Sequence, residues 1–175
     1  MNKKIIQEVL ADQWEAVQEQ GFLTRAFNWE ENLNYCLVGI RRAGKSYLLI
    51  QRIHELLKEG VPEDHILYVN FEDERLLEMT AADLHLFLEA QAEFAEDHKV
   101  THVFLDELQN VTGWEKFVRR LADSKYHVYV TGCNAKMLSR EIATTLGGRF
   151  MMRVVYPYDF SEYLMALGID GSPRK

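Results

Sequence analysis

Gly39-Ile40-Arg41-Arg42-Ala43-Gly44-Lys45-Ser46 decides how the rest of the chain is read. It fits the pattern G-x-x-x-x-G-K-[ST], a loop whose backbone amides cradle phosphate when a strand precedes it and a helix follows. Leu33-Asn34-Tyr35-Cys36-Leu37-Val38 is an apolar run that predicts a buried strand. Tyr47 to Leu57 predicts a helix with Leu49, Ile53, Leu56 and Leu57 on one face. Gly39 and Gly44 permit backbone angles that a Cβ disfavours, so the loop can turn its N–H groups inward. The helix start adds unpaired amides and the positive end of a dipole. In this pattern Lys45 is the cation for the β- and γ-phosphates, and Ser46 supplies a hydroxyl for Mg²⁺. Gly39, Arg41, Arg42, Ala43, Gly44, Lys45, Ser46 and Tyr47 form the candidate nucleotide-binding set. The side chains of Arg41 and Arg42 are expected to point away from phosphate, toward the surface or a partner.

Bulk properties narrow the function classes. The 175 residues are enough for one domain with a real core. Hydrophobic residues make up 47% and charged residues 27%, ordinary values for a globular protein. A net charge of −7 argues against DNA binding through bulk charge, because phosphate backbones want a cationic face. Cys36 and Cys133 stand at predicted strand ends and read as small core hydrophobes rather than a disulfide or a metal site. No apolar run reaches membrane-spanning length and no secretory h-region is visible, so a cytoplasmic location is the expectation.

Further elements follow from periodicity and stop signals. Residues 3–20 predict a helix, with Ile6, Leu10, Trp14 and Val17 at helical spacing and Gly21 as the stop. The loop helix should end at Gly60, before Pro62. Residues 65–71, 100–106, 127–131 and 149–156 predict four more strands. Thr80-Ala81-Ala82-Asp83 resembles a capping box, followed by a helix carrying Leu84, Phe87, Leu88, Gln91 and Phe94 on its face. Residues 114–122 and 135–146 predict two more helices, and about 159–168 a short last one. Strands alternating with helices imply a mostly parallel sheet, helices on both faces, and a ligand site outside the strands' carboxyl ends. Each candidate polar residue is expected at such an end. The whole of 1–175 reads as a single domain with its core at about 21–157.

A second acidic element completes the candidate site. Phe104-Leu105-Asp106-Glu107 has the pattern of a Walker B strand: Asp106 for Mg²⁺ and Glu107 to polarise an attacking water. Asn134, with Thr131 second, is a candidate for orienting that water beside the γ-phosphate; Asn134 would equally cap the next helix. Asn134-Ala135-Lys136-Met137 lacks the aspartate and spacing of a guanine-reading motif. Glu72 and Asp73 would face the metal's water shell or form a solvated loop, and Gln109 is within reach of the γ-phosphate. Arg149, after Gly147-Gly148, is a candidate for the charged transition state, in its own chain or a neighbour's. Arg140 and Arg153 are weaker candidates, and surface ion pairs are the default for all three.

From about residue 20 onward the chain resembles the AAA-type P-loop ATPases often fused to a DUF4143 domain. The resemblance is carried by Gly39 to Ser46, Leu67 to Leu76, Phe104 to Val111, Trp114 to Leu121, Thr131 to Lys136, Leu146 to Arg149 and Tyr156 to Leu164. It implies an α/β RecA/AAA-like core, strand order 5-1-4-3-2, with ATP and Mg²⁺ as cofactors. It also implies Lys45 and Ser46 on phosphate and metal, Asp106 on metal and Glu107 as water activator. Cys133 stands where such proteins commonly have Ser. Such proteins usually continue into a further domain, so truncation before a C-terminal domain is expected here.

The expected function is Mg²⁺-dependent ATP hydrolysis coupled to a change in an attached domain or protein partner. Two other readings stay open: an ATP-binding switch with little turnover in isolation, and a small-molecule kinase. The kinase is disfavoured by the lack of an arginine-rich lid. A homo-oligomer fits an arginine supplied in trans; DNA as a partner rests on family analogy alone.

Overall fold

A computed structural model of the chain describes residues 1–132, 144 and 146–169. Five parallel strands form one sheet: β1 (Asn34–Val38), β2 (Ile66–Asn70), β3 (His102–Asp106), β4 (His127–Thr131) and β5 (Phe150–Val154). Their order is β2-β3-β4-β1-β5, which is the expected 5-1-4-3-2 viewed from the other edge. Helices α1 (Lys3–Glu19), α2 (Lys45–Lys58), α3 (His85–Phe94), α4 (Glu115–Asp123) and α5 (Phe160–Ala166) surround it. The helix expected over 135–146 lies almost wholly outside the described residues.

Strand alternation sorts the core into two layers. Cys36, Leu67, Val69, Val103, Leu105, Val128 and Val130 face α3, α4 and the first half of α1. Tyr35, Leu37, Ile66, Tyr68, Phe104 and Tyr129 face α2. On the α2 side, the rings of Tyr35, Tyr129 and Phe104 stack across three neighbouring strands, 6.0 Å and 4.4 Å apart. Burial pushes the Cys36 thiol up to about 12, as suits an inert core residue.

The chain's local signals behave as their chemistry dictates. The Asn2 side chain accepts from Lys4 N at 2.9 Å and opens α1. Thr80 and Asp83 form the capping box, but over a 3₁₀ turn (Ala81–Asp83), with α3 starting at His85. Phe94 departs from its expected inward place and is 54% exposed at the end of α3. The edge strand β2 is capped by a side chain: Gln13 donates to Asn70 O at 3.0 Å and accepts from Asn70 N at 2.8 Å. One amide on α1 thereby imitates a neighbouring strand.

Candidate nucleotide-binding site

The loop between β1 and α2 holds the geometry its residues imply. Gly44 has φ +92 and is the N-cap of α2, so an unstrained cap there needs glycine. At Gly39 the constraint is a close approach: a Cβ would stand 2.3 Å from the Val155 carbonyl oxygen. Arg42 is left-handed at φ +64. Helix α2 has no side-chain cap and no acidic residue in its first turn. Its first turn therefore brings no carboxylate of its own to the amides at the loop, as suits an anion site. Lys45 is buried, and its Nζ donates to the carbonyls of Gly39 at 3.2 Å and Ile40 at 2.8 Å. A cavity of about 260 Å³ opens here, lined by residues 42–47, Glu107 and Tyr158.

Asp106 ends β3 fully buried, and hydroxyls from three elements converge on it. Tyr68 of β2 donates to its Oδ2 at 3.0 Å. Thr131 of β4 donates a short hydrogen bond to its Oδ1. The Ser46 hydroxyl, at the start of α2, is also hydrogen-bonded to the carboxylate. Burial raises the proton affinity of Asp106 above that of an ordinary carboxylate, against the pull of these donors. Asp106 and Ser46, distant in sequence, are thus in direct contact.

Glu107 follows in a left-handed conformation, φ 54 and ψ 39, a costly one for a residue with a Cβ. Its N–H donates to Thr131 Oγ1 at 3.0 Å, so one hydroxyl ties Asp106 and Glu107 together. The Gln109 amide donates to Glu107 Oε2, while Gln109 Oε1 is buried without a hydrogen-bond partner.

The other candidates divide. Asp73 is taken up locally: it pairs with Arg75 at 2.9 Å and accepts from Gln13 at 3.2 Å. Those bonds, Arg75's first, lower its pKa to about 2. Glu72 stands 3.6 Å from the exposed Arg41 guanidinium, so this loop arginine points outward. Arg149 does not join the others. It precedes β5 and lies at the amino end of the sheet, where its backbone carbonyl accepts from Asn34 and its guanidinium pairs with Asp123 at 2.6 Å. A parallel strand carries its first residue to the side opposite the loop, so the expectation that every candidate lies at a carboxyl end fails here. Asn134 and Arg140 lie outside the described residues. Arg153 lies 4.7 Å from the centre of the Phe27 ring.

Sequence reasoning missed Arg25. Its Nη1 donates to Ala43 O at 3.1 Å behind the loop, and it makes a two-pronged pair with Glu162 at 2.8 Å and 3.1 Å. Its guanidinium lies 5.3 Å from the centre of the Tyr158 ring. Pairing across 137 residues leaves no local spacing to read. Tyr68 was also missed as a partner of Asp106. Its strand position gives its face, and only the fold gives its reach.

A family described as an AAA domain matches residues 31–164. The chain belongs to this AAA_14 family. This AAA domain is therefore of the ATPase type, built to bind nucleotide. It is 36% identical to an uncharacterized protein of Methanocaldococcus jannaschii over 94% of this chain and 36% of that protein. It is 37% identical to an uncharacterized protein of Haemophilus influenzae over 78% of this chain and 34% of that one. The AAA domain spans about a third of the length of these curated relatives. No helix among its described residues is long and apolar enough to cross a membrane.

Proposed function

We propose that this domain binds ATP with Mg²⁺, hydrolyses it, and uses the cycle to move an attached domain or partner. The observation that carries this reading is the contact between Ser46 and Asp106, which joins the phosphate loop to the acidic strand. The residues fit the group: a hydroxyl and a carboxylate are hard oxygen donors of the kind Mg²⁺ takes, beside a glycine-bent loop and one ammonium. When bound, Mg²⁺ neutralises phosphate charge as it develops. The chain's own residues do the rest. Lys45 leaves the Gly39 and Ile40 carbonyls for phosphate oxygens. The amides of residues 43–47 orient the triphosphate. Glu107 orients water and takes its proton. Membership of the AAA family supports ATP as the nucleotide.

Two variants test the assignment. Lys45→Ala should abolish tight ATP binding in calorimetric titration. Glu107→Gln should bind ATP like the wild type and lose at least about a hundredfold in phosphate release, the scale of a lost general base. Equal turnover by wild type and Glu107→Gln refutes the catalytic role.

One observation favours a second reading, a switch with little turnover in isolation. Gln109 engages the carboxylate of Glu107. Multiple-turnover phosphate release with Gln109→Ala distinguishes the two: a rise in rate marks a base held by Gln109, and no change shows that Gln109 does not restrain it.

A further inference from the structure

Asp106 is gripped from both sides of its strand. Thr131, on β4, holds Oδ1; Tyr68, on β2, holds Oδ2 at 3.0 Å. The third hydroxyl, Ser46, belongs to the phosphate loop and is the one expected to turn to a cation. The two strand hydroxyls differ. Thr131 also accepts from Glu107 N–H, so it serves both carboxylates. Tyr68 has no hydrogen bond from its hydroxyl other than that to Asp106 among those described. Its ring is 7% exposed and shares the α2-facing layer with Phe104, its register partner on β3. An aromatic ring packed in this way is fixed in both of its torsions, so the hydroxyl points where the strand aims it. A carboxylate rotates about one bond, and donors on both oxygens set that rotation.

We infer that Tyr68 is a positioning residue for the cation: its hydroxyl holds the Asp106 carboxylate at the angle that presents the remaining lone pairs toward Ser46. The inference rests on the proposed nucleotide site. It separates two contributions to that site. The loop amides and Lys45 bind the phosphates without help from Tyr68. The gain in affinity on adding Mg²⁺ depends on it.

The test is equilibrium ATP binding to the whole chain, with Mg²⁺ and with EDTA, for wild type and Tyr68→Phe. The substitution removes one oxygen and leaves the ring packing in place, and the melting midpoint reports the fold. Metal-free affinity should stay within about twofold, while the Mg²⁺-dependent gain falls about tenfold, the scale of one hydrogen bond to a charged group. Should Tyr68→Phe not fold, Tyr68→Met, which also lacks the hydroxyl, gives the same two constants. An unchanged Mg²⁺ gain overturns the inference and leaves Tyr68 as packing. An equal fall with and without Mg²⁺ also overturns it, since the cradle itself has then been lost. Failure of the wild type to bind ATP under either condition sinks the nucleotide reading instead.

Discussion

The two ends of the parallel sheet solve the same problem differently. At the amino end, polar groups are satisfied locally and near the surface. His102 and His127 stack with centroids 4.6 Å apart, and His65 meets Asp97 at 3.0 Å. Asn34 accepts from Val128 N at 2.9 Å and donates to Arg149 O at 3.3 Å, bridging β4 to β5. At the carboxyl end, a carboxylate is buried and an ammonium rests on loop carbonyls. Buried charge lowers stability unless something else selects it. The amino end holds the strands in register, and the carboxyl end carries the proposed nucleotide site.

Three substitutions probe that contrast. The largest effect is expected at the carboxyl end. Gly39→Ala sets a Cβ against the Val155 carbonyl at 2.3 Å and should cost about 3 kcal/mol in urea unfolding, with loss of ATP binding. A variant as stable as the wild type would show that β5 yields freely beside the loop.

The second effect belongs to the amino end and to pH. Burial first, then the charges of His127 and Arg52, lowers His102 to about 4 from 6.5. The folded state therefore resists a proton that the unfolded chain takes up. Stability is full above pH 6.5 and falls as pH drops toward 4. Between pH 6.5 and 5, above the range where the carboxylate of Asp73 titrates, the loss should be about 1 kcal/mol, with partial hydration taken into account. Melts of His102→Gln should lose that slope. An identical slope in the variant would move the effect to another group.

The smallest effect is expected at Arg149. Its pair with Asp123 is largely exposed, so Arg149→Ala should cost no more than about 0.5 kcal/mol and leave ATP turnover in dilute solution unchanged. A fall in rate seen only at concentrations where the domain self-associates would bring Arg149 to the site of a neighbouring copy.

The main elements were legible because their signals are local. The phosphate loop needs two glycines and a lysine at set spacing, and β3 announces itself by an apolar run closed with Asp106-Glu107. The strand order came with the family resemblance. What stayed hidden was reach. Alternation along β2 assigns Tyr68 to the α2 face, yet nothing in the chain says that its hydroxyl meets Asp106 and not water. The Arg25–Glu162 pair joins two segments with no periodic relation. Arg149 misled for a related reason: a glycine pair before an arginine marks a turn, without saying at which end of the sheet the turn lies. Phe94 fits the helical spacing of α3, but the helix ends there, beyond the layer it would have entered.

The amide of Gln13 has a consequence for how molecules of this protein can meet. By filling the hydrogen-bonding rung of Asn70, it denies that stretch of β2 to any incoming chain. The opposite margin, β5, is paired on one side only among the described residues, and Met151 and Val154 lie exposed along it. Extension of the sheet by a foreign strand, whether in assembly or in aggregation, is thus obstructed at the last rung of β2, while β5 offers an edge open among the described residues.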